Sequence, residues 1–263
     1  MNELVMNELV RVEHADEVGI ITLDVPKTRN ALSKEVLRLL AERLDALAAD
    51  SRCRAIVLTG ANGHFCSGGD VSGMSEPRAL PVGRARNAMG HPIVRAIAAG
   101  AKPVIAAVQG YAAGGGFSLA CACDYIVAAN TAKFVSSFAK VGMVPDLGLL
   151  WSLPRRIGLP EAKRMFATAR VVESAEALAL RLVDAVVEPE QLMERAVAVA
   201  REFAAQAPLP FAIIKSIYAR GCDSLEQALA YEIDNNPPLQ MTDDHREAVE
   251  AFLAKRKPVF KGA

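Results

Sequence analysis

The period of the apolar positions changes along the chain, and the changes outline its elements. Val18 to Leu23 is a short, mostly apolar run ended by Pro26, which predicts a strand. Ser33 then stands where a helix N-cap would, with Glu35 in the first turn to suit the helix dipole. Val36, Leu37, Leu40, Leu44 and Leu47 follow at helical spacing, so one face of that helix is apolar. Ala55–Thr59 reads as a buried strand, His91–Ala99 as a helix, and Val104–Val108 and Tyr125–Ala128 as two more strands. Ser174 is placed to cap a short helix, and Leu182–Val187 is the last predicted strand. Beyond Pro189 the pattern is helical: 190–205, 209–219, 225–233 and 243–255, punctuated by Pro208, Gly221, Pro237 and Pro238. Strands early and helices late predict an α/β core over residues 1–205 and a helical region over 206–263.

The stretch from Lys102 to Ala129 organises the rest. It joins an apolar strand, a turn at Gly110, three consecutive glycines and a helix of small residues. Three glycines together cost folding free energy, because glycine loses the most backbone freedom on ordering. Two readings of Gly114, Gly115 and Gly116 stay open. They let a ligand touch bare backbone at a helix N-terminus, or they let the helix pack closely on a strand.

Residues 60–83 form a long connection rich in Gly, Ser and Pro, and connections of that length inside a domain tend to be functional or disordered. Phe65 to Val71 contains small residues just past a strand end, where α/β folds bind ligands, whereas Ser75 to Val82 fits a surface loop. Asp146 lies between Pro145 and Leu147 in apolar company. Such a carboxyl is expected to have a raised pKa suited to proton transfer; capping a helix over 147–153 is the other reading.

At 263 residues and 52% hydrophobic, the chain can bury a large core. Thirty Lys and Arg balance thirty Asp and Glu, so no field favours nucleic acid or a membrane surface. No apolar run approaches the ~20 residues of a membrane helix, and no signal peptide is expected. The five cysteines (Cys53, Cys66, Cys121, Cys123, Cys222) and four histidines lack metal-ligand spacing, so free thiols, no metal and a cytoplasmic location are expected. MNELV occurs twice at the start, and no function is assigned to it.

Five segments, PKTRNALS, FCSGGD, KPVIAAVQGYAAGGG, FVSSFAKVGMVPDLG and AFLAKRKPVF, lie in the order and spacing of the enoyl-CoA hydratase/isomerase (crotonase) superfamily, which the chain resembles over nearly its whole length. The resemblance implies a crotonase-like α/β fold: ββα repeats wound in a spiral, with a C-terminal helical trimerisation region. It implies a homotrimer, or a hexamer built as a dimer of trimers. The substrate would be an acyl-CoA thioester, with no separate cofactor. Matched motif to motif, the backbone N–H groups of Gly69 and Gly115 would form an oxyanion hole. Arg29, Ala31, Ser67, Gly69 and Val71 would follow the CoA, and Lys255 would reach its phosphates.

Hydratases of this superfamily hold the attacking water between two glutamates, and the matching positions here are Ser118 and Phe138. Asp146 matches the single acid/base of the enoyl-CoA isomerases. The surrounding segment most resembles phenylacetate-pathway isomerases, which open a ring epoxide and can shift double bonds. Where their pattern reads PDxGG(S/T)W this chain reads PDLGLLW, so Leu149 and Leu150 would reshape the acyl pocket beside Ser118 and Phe138. The leading expectation is therefore shift of a 3-enoyl-CoA to a 2-enoyl-CoA, or isomerisation of a ring-epoxide acyl-CoA. Alternatives are an enoyl-CoA hydratase, an aryl-acyl-CoA dehalogenase with Asp146 as nucleophile and His91 or His64 activating water, and a non-catalytic acyl-CoA-binding protein. RNA binding finds no support in the charge balance.

Overall fold

In the computed structural model, residues 9–70 and 79–263 are described. The duplicated start therefore lies almost wholly outside the described residues, as does Val71. Strand β1 (Val10–Ala15) pairs antiparallel with β2 (Val18–Leu23), and α1 (Lys34–Ala49) follows. The Ser33 side chain accepts a hydrogen bond from the Val36 N–H, as its spacing predicts for a cap. Next come β3 (Ala55–Gly60), α2 (Leu80–Ala88), α3 (His91–Ala99), β4 (Val104–Val108), β5 (Tyr111–Ala113), α4 (Gly115–Ala122) and β6 (Tyr125–Ala129). The chain continues through β7 (Lys133–Val135), α5 (Leu149–Ile157), α6 (Leu159–Thr168), β8 (Val171–Glu173), α7 (Ser174–Ala179), β9 (Ala185–Val187) and α8 (Leu192–Ala204). Helices α9 (Pro208–Arg220), α10 (Leu225–Gln240) and α11 (Asp243–Leu253) close it.

The main sheet has the order β1-β2-β3-β4-β6-β9, parallel apart from the β1/β2 pair. Strand alternation sends successive side chains to two separate cores. Ala55 and Val57 of β3, with Ile105, Ala107 and Val127, pack on α8 through Leu192, Ala196, Val199 and Ala200. Ile56 and Leu58, with Ala106, Val108 and Ile126, face the larger core containing α1 and α3. A sheet covered on both faces explains why β4 and the first four residues of β3 are unbroken apolar runs.

A second sheet, β5-β7-β8, has no counterpart in the apolar pattern, because its strands are three residues each. The connection 60–83 is also shorter than expected, since α2 begins at Leu80. Ser174 does not cap α7. It is the first helical residue, and its hydroxyl donates 2.6 Å to the Asn130 carbonyl. Pro237 and Pro238 do not interrupt α10 but lie in its last turn, where they forfeit two N–H donors rather than ending the helix. No single described helix is long and apolar enough to cross a membrane.

Candidate active site

Two chain segments bring unpaired backbone donors together. Residues 66–70 run between the loop before α1 and strand β5. The Leu32 N–H donates to the Gly68 carbonyl at 2.7 Å, and the Asp70 N–H returns to the Leu32 carbonyl at 3.3 Å. On the other side Cys66 is bracketed by β5, its N–H on the Tyr111 carbonyl and its carbonyl accepting from Ala113, each at 2.9 Å. A residue held this way in a parallel bridge turns alternate N–H groups outward, and Gly69 is the one turned outward. Gly115 opens α4, so its N–H has no partner within the helix. Among the described residues neither N–H donates to any protein group. A Cβ on Gly115 would lie 3.8 Å from the Gly69 nitrogen, so both face one small space.

Both readings of the triple glycine hold, at different positions. Gly114 has φ +49° and ψ −122°, a conformation that side chains exclude. Gly116 is the packing glycine, since a Cβ there would stand 2.5 Å from both the Cβ and the carbonyl oxygen of Cys66. Gly115 is the one that faces open space.

That space belongs to a cavity of about 1020 Å³ between α2 and the one-turn 3-10 helix Ser137–Val141. Ser67, Gly69, Gly115, Phe138 and Asp146 all line it, though they come from four separated segments. Asp146 also borders a second cavity of about 400 Å³ with Asn87, His91, Leu150 and Trp151. Its Oδ1 is buried without a hydrogen-bond partner. Burial pushes the Asp146 carboxyl above its ordinary range, against weaker opposition from its own N–H and from the charge of His91. Leu147 (φ +48°) and Gly148 (φ +78°) are both left-handed, and Gly148 caps α5. Asp146 therefore stands one bend outside the helix and does not cap it, contrary to the alternative reading.

The other expected residues divide. Ser67 is tied to the Thr28–Arg29 turn, its hydroxyl donating 2.7 Å to the Thr28 carbonyl and its N–H 2.9 Å to the Arg29 carbonyl. Arg29 is exposed and Ala31 is buried beside it, but neither lines the cavity. Lys255 is exposed just past α11 and is not among the cavity residues. Ser118 is fully buried inside α4, its hydroxyl spent on the Gly114 carbonyl at 3.1 Å, so it does not line the acyl wall. Leu149 is likewise buried in the core; Leu150 is the leucine that borders the second cavity. His64 lines neither cavity, and its Nδ1 accepts the Tyr111 N–H at 3.3 Å.

Sequence reasoning passed over Asn30. It is fully buried with φ +63°, and its amide donates to the Ala61 and His64 carbonyls at 2.9 and 2.7 Å while its Oδ1 accepts the Val25 N–H at 2.8 Å. These bonds fix the turn that holds Ser67. The one available signal was an Asn, a residue that tolerates the left-handed region, between Arg29 and Ala31. Arg84 and Asn87, both cavity residues, lie on α2, whose start falls in the stretch expected to be a loop, and Lys140 lies on a short 3-10 turn that leaves no period in the sequence.

A family model described as enoyl-CoA hydratase/isomerase matches residues 13–263. A short-chain-enoyl-CoA hydratase of Clostridium acetobutylicum is 35% identical over 251 residues, covering 94% of this chain and 95% of its own. A 1,2-epoxyphenylacetyl-CoA isomerase of Escherichia coli is 35% identical over 252 residues, covering 94% and 96%. The crystal structure of an enoyl-CoA hydratase from Polaromonas sp. superposes with TM-score 0.89 at 35% identity, over 95% of this chain and 99% of that one.

Proposed function

The chain belongs to the enoyl-CoA hydratase/isomerase family, and from that premise we propose that it isomerises an acyl-CoA through an enolate, with Asp146 as its single acid/base. The thioester oxygen accepts from the N–H groups of Gly69 and Gly115. As Asp146 takes a proton from the α-carbon, negative charge grows on that oxygen and the two donors stabilise it. One such donor is worth ~3 kcal/mol in the transition state. Asp146 then returns the proton at the γ-carbon, giving net transfer of one proton and shift of one double bond. A ring-epoxide acyl-CoA would use the same donors and the same acid, and the name of the Escherichia coli relative supports that variant.

The observation that carries this reading is the one carboxylate among the described cavity residues, with an unpartnered oxygen, in the cavity that both free N–H groups border. Water addition is the second reading, and the hydratase names among the relatives favour it. Against it stand Phe138 on the cavity wall and a Ser118 hydroxyl already bonded to Gly114, at the positions where the resemblance puts the hydratase glutamates. Turnover of 3-hexenoyl-CoA and of crotonyl-CoA by the wild type and by Asp146→Asn decides between them. Isomerisation should fall by about 10²–10⁴ in the variant. Brisk hydration that survives the substitution would replace the isomerase reading.

We also propose that residues 206–263 form a trimerisation region. Ile214, Tyr218, Leu225, Ile233, Phe252 and Leu253 are exposed there, up to 83% at Phe252, which is more apolar surface than a lone chain leaves in water. Light scattering tests this, and a monodisperse monomer would reject it.

A further inference from the structure

The cavity carries more positive charge than the proposed chemistry uses. Besides Asp146, the ionisable residues among its described lining are Arg84, Arg86 and Lys140, in a chain whose charges balance overall. Arg86 is committed, since its guanidinium donates 2.9 Å to the Asp70 carbonyl. Arg84 and Lys140 make no hydrogen bond or ion pair with any described residue. They come from two different elements. On α2, Leu80, Gly83, Arg84 and Asn87 recur at helical spacing and all line the cavity, so they share one face. Lys140 stands on the 3-10 turn that also supplies Phe138 and Val141.

Both cations are exposed and line the same cavity as Asp146. Asn87, one turn after Arg84, borders both cavities, as Asp146 does. Ser67 and Gly68 line the cavity too, and Ser67 is bonded to the Arg29 turn, along which the resemblance runs the CoA. Around Arg84 and Lys140 the wall is apolar, formed by Leu80, Val141 and Met143. Apolar residues beside two cations that pair with no described residue fit a chain of apolar body and anionic tip. A guanidinium also matches a carboxylate's two oxygens with a fork of N–H groups.

We propose that the substrate is the CoA thioester of a dicarboxylic acid, its free carboxylate held by Arg84 and Lys140. This rests on the acyl-CoA reading of the same cavity, and it is tested by binding rather than turnover.

Calorimetric titration with hexanoyl-CoA, adipyl-CoA and free CoA provides the test, since the two thioesters have equally long, unreactive acyl chains and differ in the terminal carboxylate. The wild type should bind adipyl-CoA about tenfold more tightly than hexanoyl-CoA. The Arg84→Gln/Lys140→Gln variant should lose that preference while binding hexanoyl-CoA and CoA within about twofold of wild type. Equal weakening of all three ligands would overturn the proposal, because the cations would then serve CoA phosphates. So would a wild type with no preference for adipyl-CoA. Failure of every ligand to bind would remove the acyl-CoA reading itself. Loss of isomerisation with the preference intact would instead fault only the chemistry assigned to Asp146.

Discussion

Leu147 occupies the space a side chain on Gly90 would need: a Cβ at position 90 would lie 2.1 Å from Leu147 Cδ2. Leu147 precedes Gly148 in the left-handed bend that carries Asp146, and its other methyl would stand 3.2 Å from a Cβ at Gly115. Gly90→Ala should therefore push Leu147, and with it Asp146, out of place. The obstructing atom is the end of a side chain, so the protein should fold, losing roughly 1–3 kcal/mol. Turnover should fall more than thermal stability does. Adding Leu147→Ala should recover part of the stability lost to overpacking, which a double-mutant cycle measures.

The neighbouring glycines Gly115 and Gly116 should respond oppositely to alanine. At Gly116 the Cβ meets the Cys66 backbone oxygen, which cannot move without breaking the bonds to β5, so Gly116→Ala should cost roughly 3 kcal/mol or more. At Gly115 the nearest atoms are side-chain methyls of Leu32 and Leu147, at 3.1 and 3.2 Å, which can give. Gly115→Ala should fold, yet its methyl would intrude on the oxygen site near the Gly69 nitrogen. Chemical denaturation and acyl-CoA titration of the two variants should show stability lost in one and ligand binding lost in the other.

Asp146 should trade stability for function. Its folded-state pKa is raised above 3.8 by burial, so the neutral form is favoured in the folded chain. The stability that protonated Asp146 supplies is fully present below 3.8, the unfolded value, and is lost as pH rises through the folded value. Asp146→Asn carries no such charge. The variant should be more stable than wild type near neutral pH, and the gap should close below pH 3.8. Thermal unfolding across pH measures this, and a gap independent of pH would contradict it. Because proton abstraction needs the carboxylate, the acid limb of kcat/KM should also lie above the ordinary carboxylate range.

Lys215 is the only buried residue of α9, at 4% exposure. Its Nζ donates to Asp124 Oδ2 and to the Lys102 carbonyl, both at 2.6 Å, and Asp124 also accepts the Val104 N–H at 2.7 Å. This pair fixes the first of the last three helices to the start of β4 and the end of α4. Lys215→Met removes one charge and strands the other, so a loss of about 3–5 kcal/mol is expected. Asp124→Asn in that background should restore part of it, read by denaturant unfolding.

The buried strands and amphipathic helices were legible in the sequence because period and burial have one cause. A run such as Ala55–Thr59 is apolar because both faces of the sheet are covered, and α1 is striped because one face is. The sheet β5-β7-β8 was not legible, since three-residue strands are too short to show a period. Gly69, Gly115 and Asp146 were found through motifs. The motif alone left open whether a glycine serves a ligand or a packed neighbour, and whether an aspartate caps a helix.

What the sequence alone determined was the class of element at each long apolar stretch and the family its motifs resemble. Tertiary structure decided the rest: that Gly116 abuts Cys66 while Gly115 faces the Gly69 nitrogen, that Ser118 turns inward, and that Arg84 and Lys140 share a cavity with Asp146. These depend on residues tens of positions apart coming within a few ångströms. A local pattern records which face of its own element a residue occupies, but not which distant segment is packed against that face.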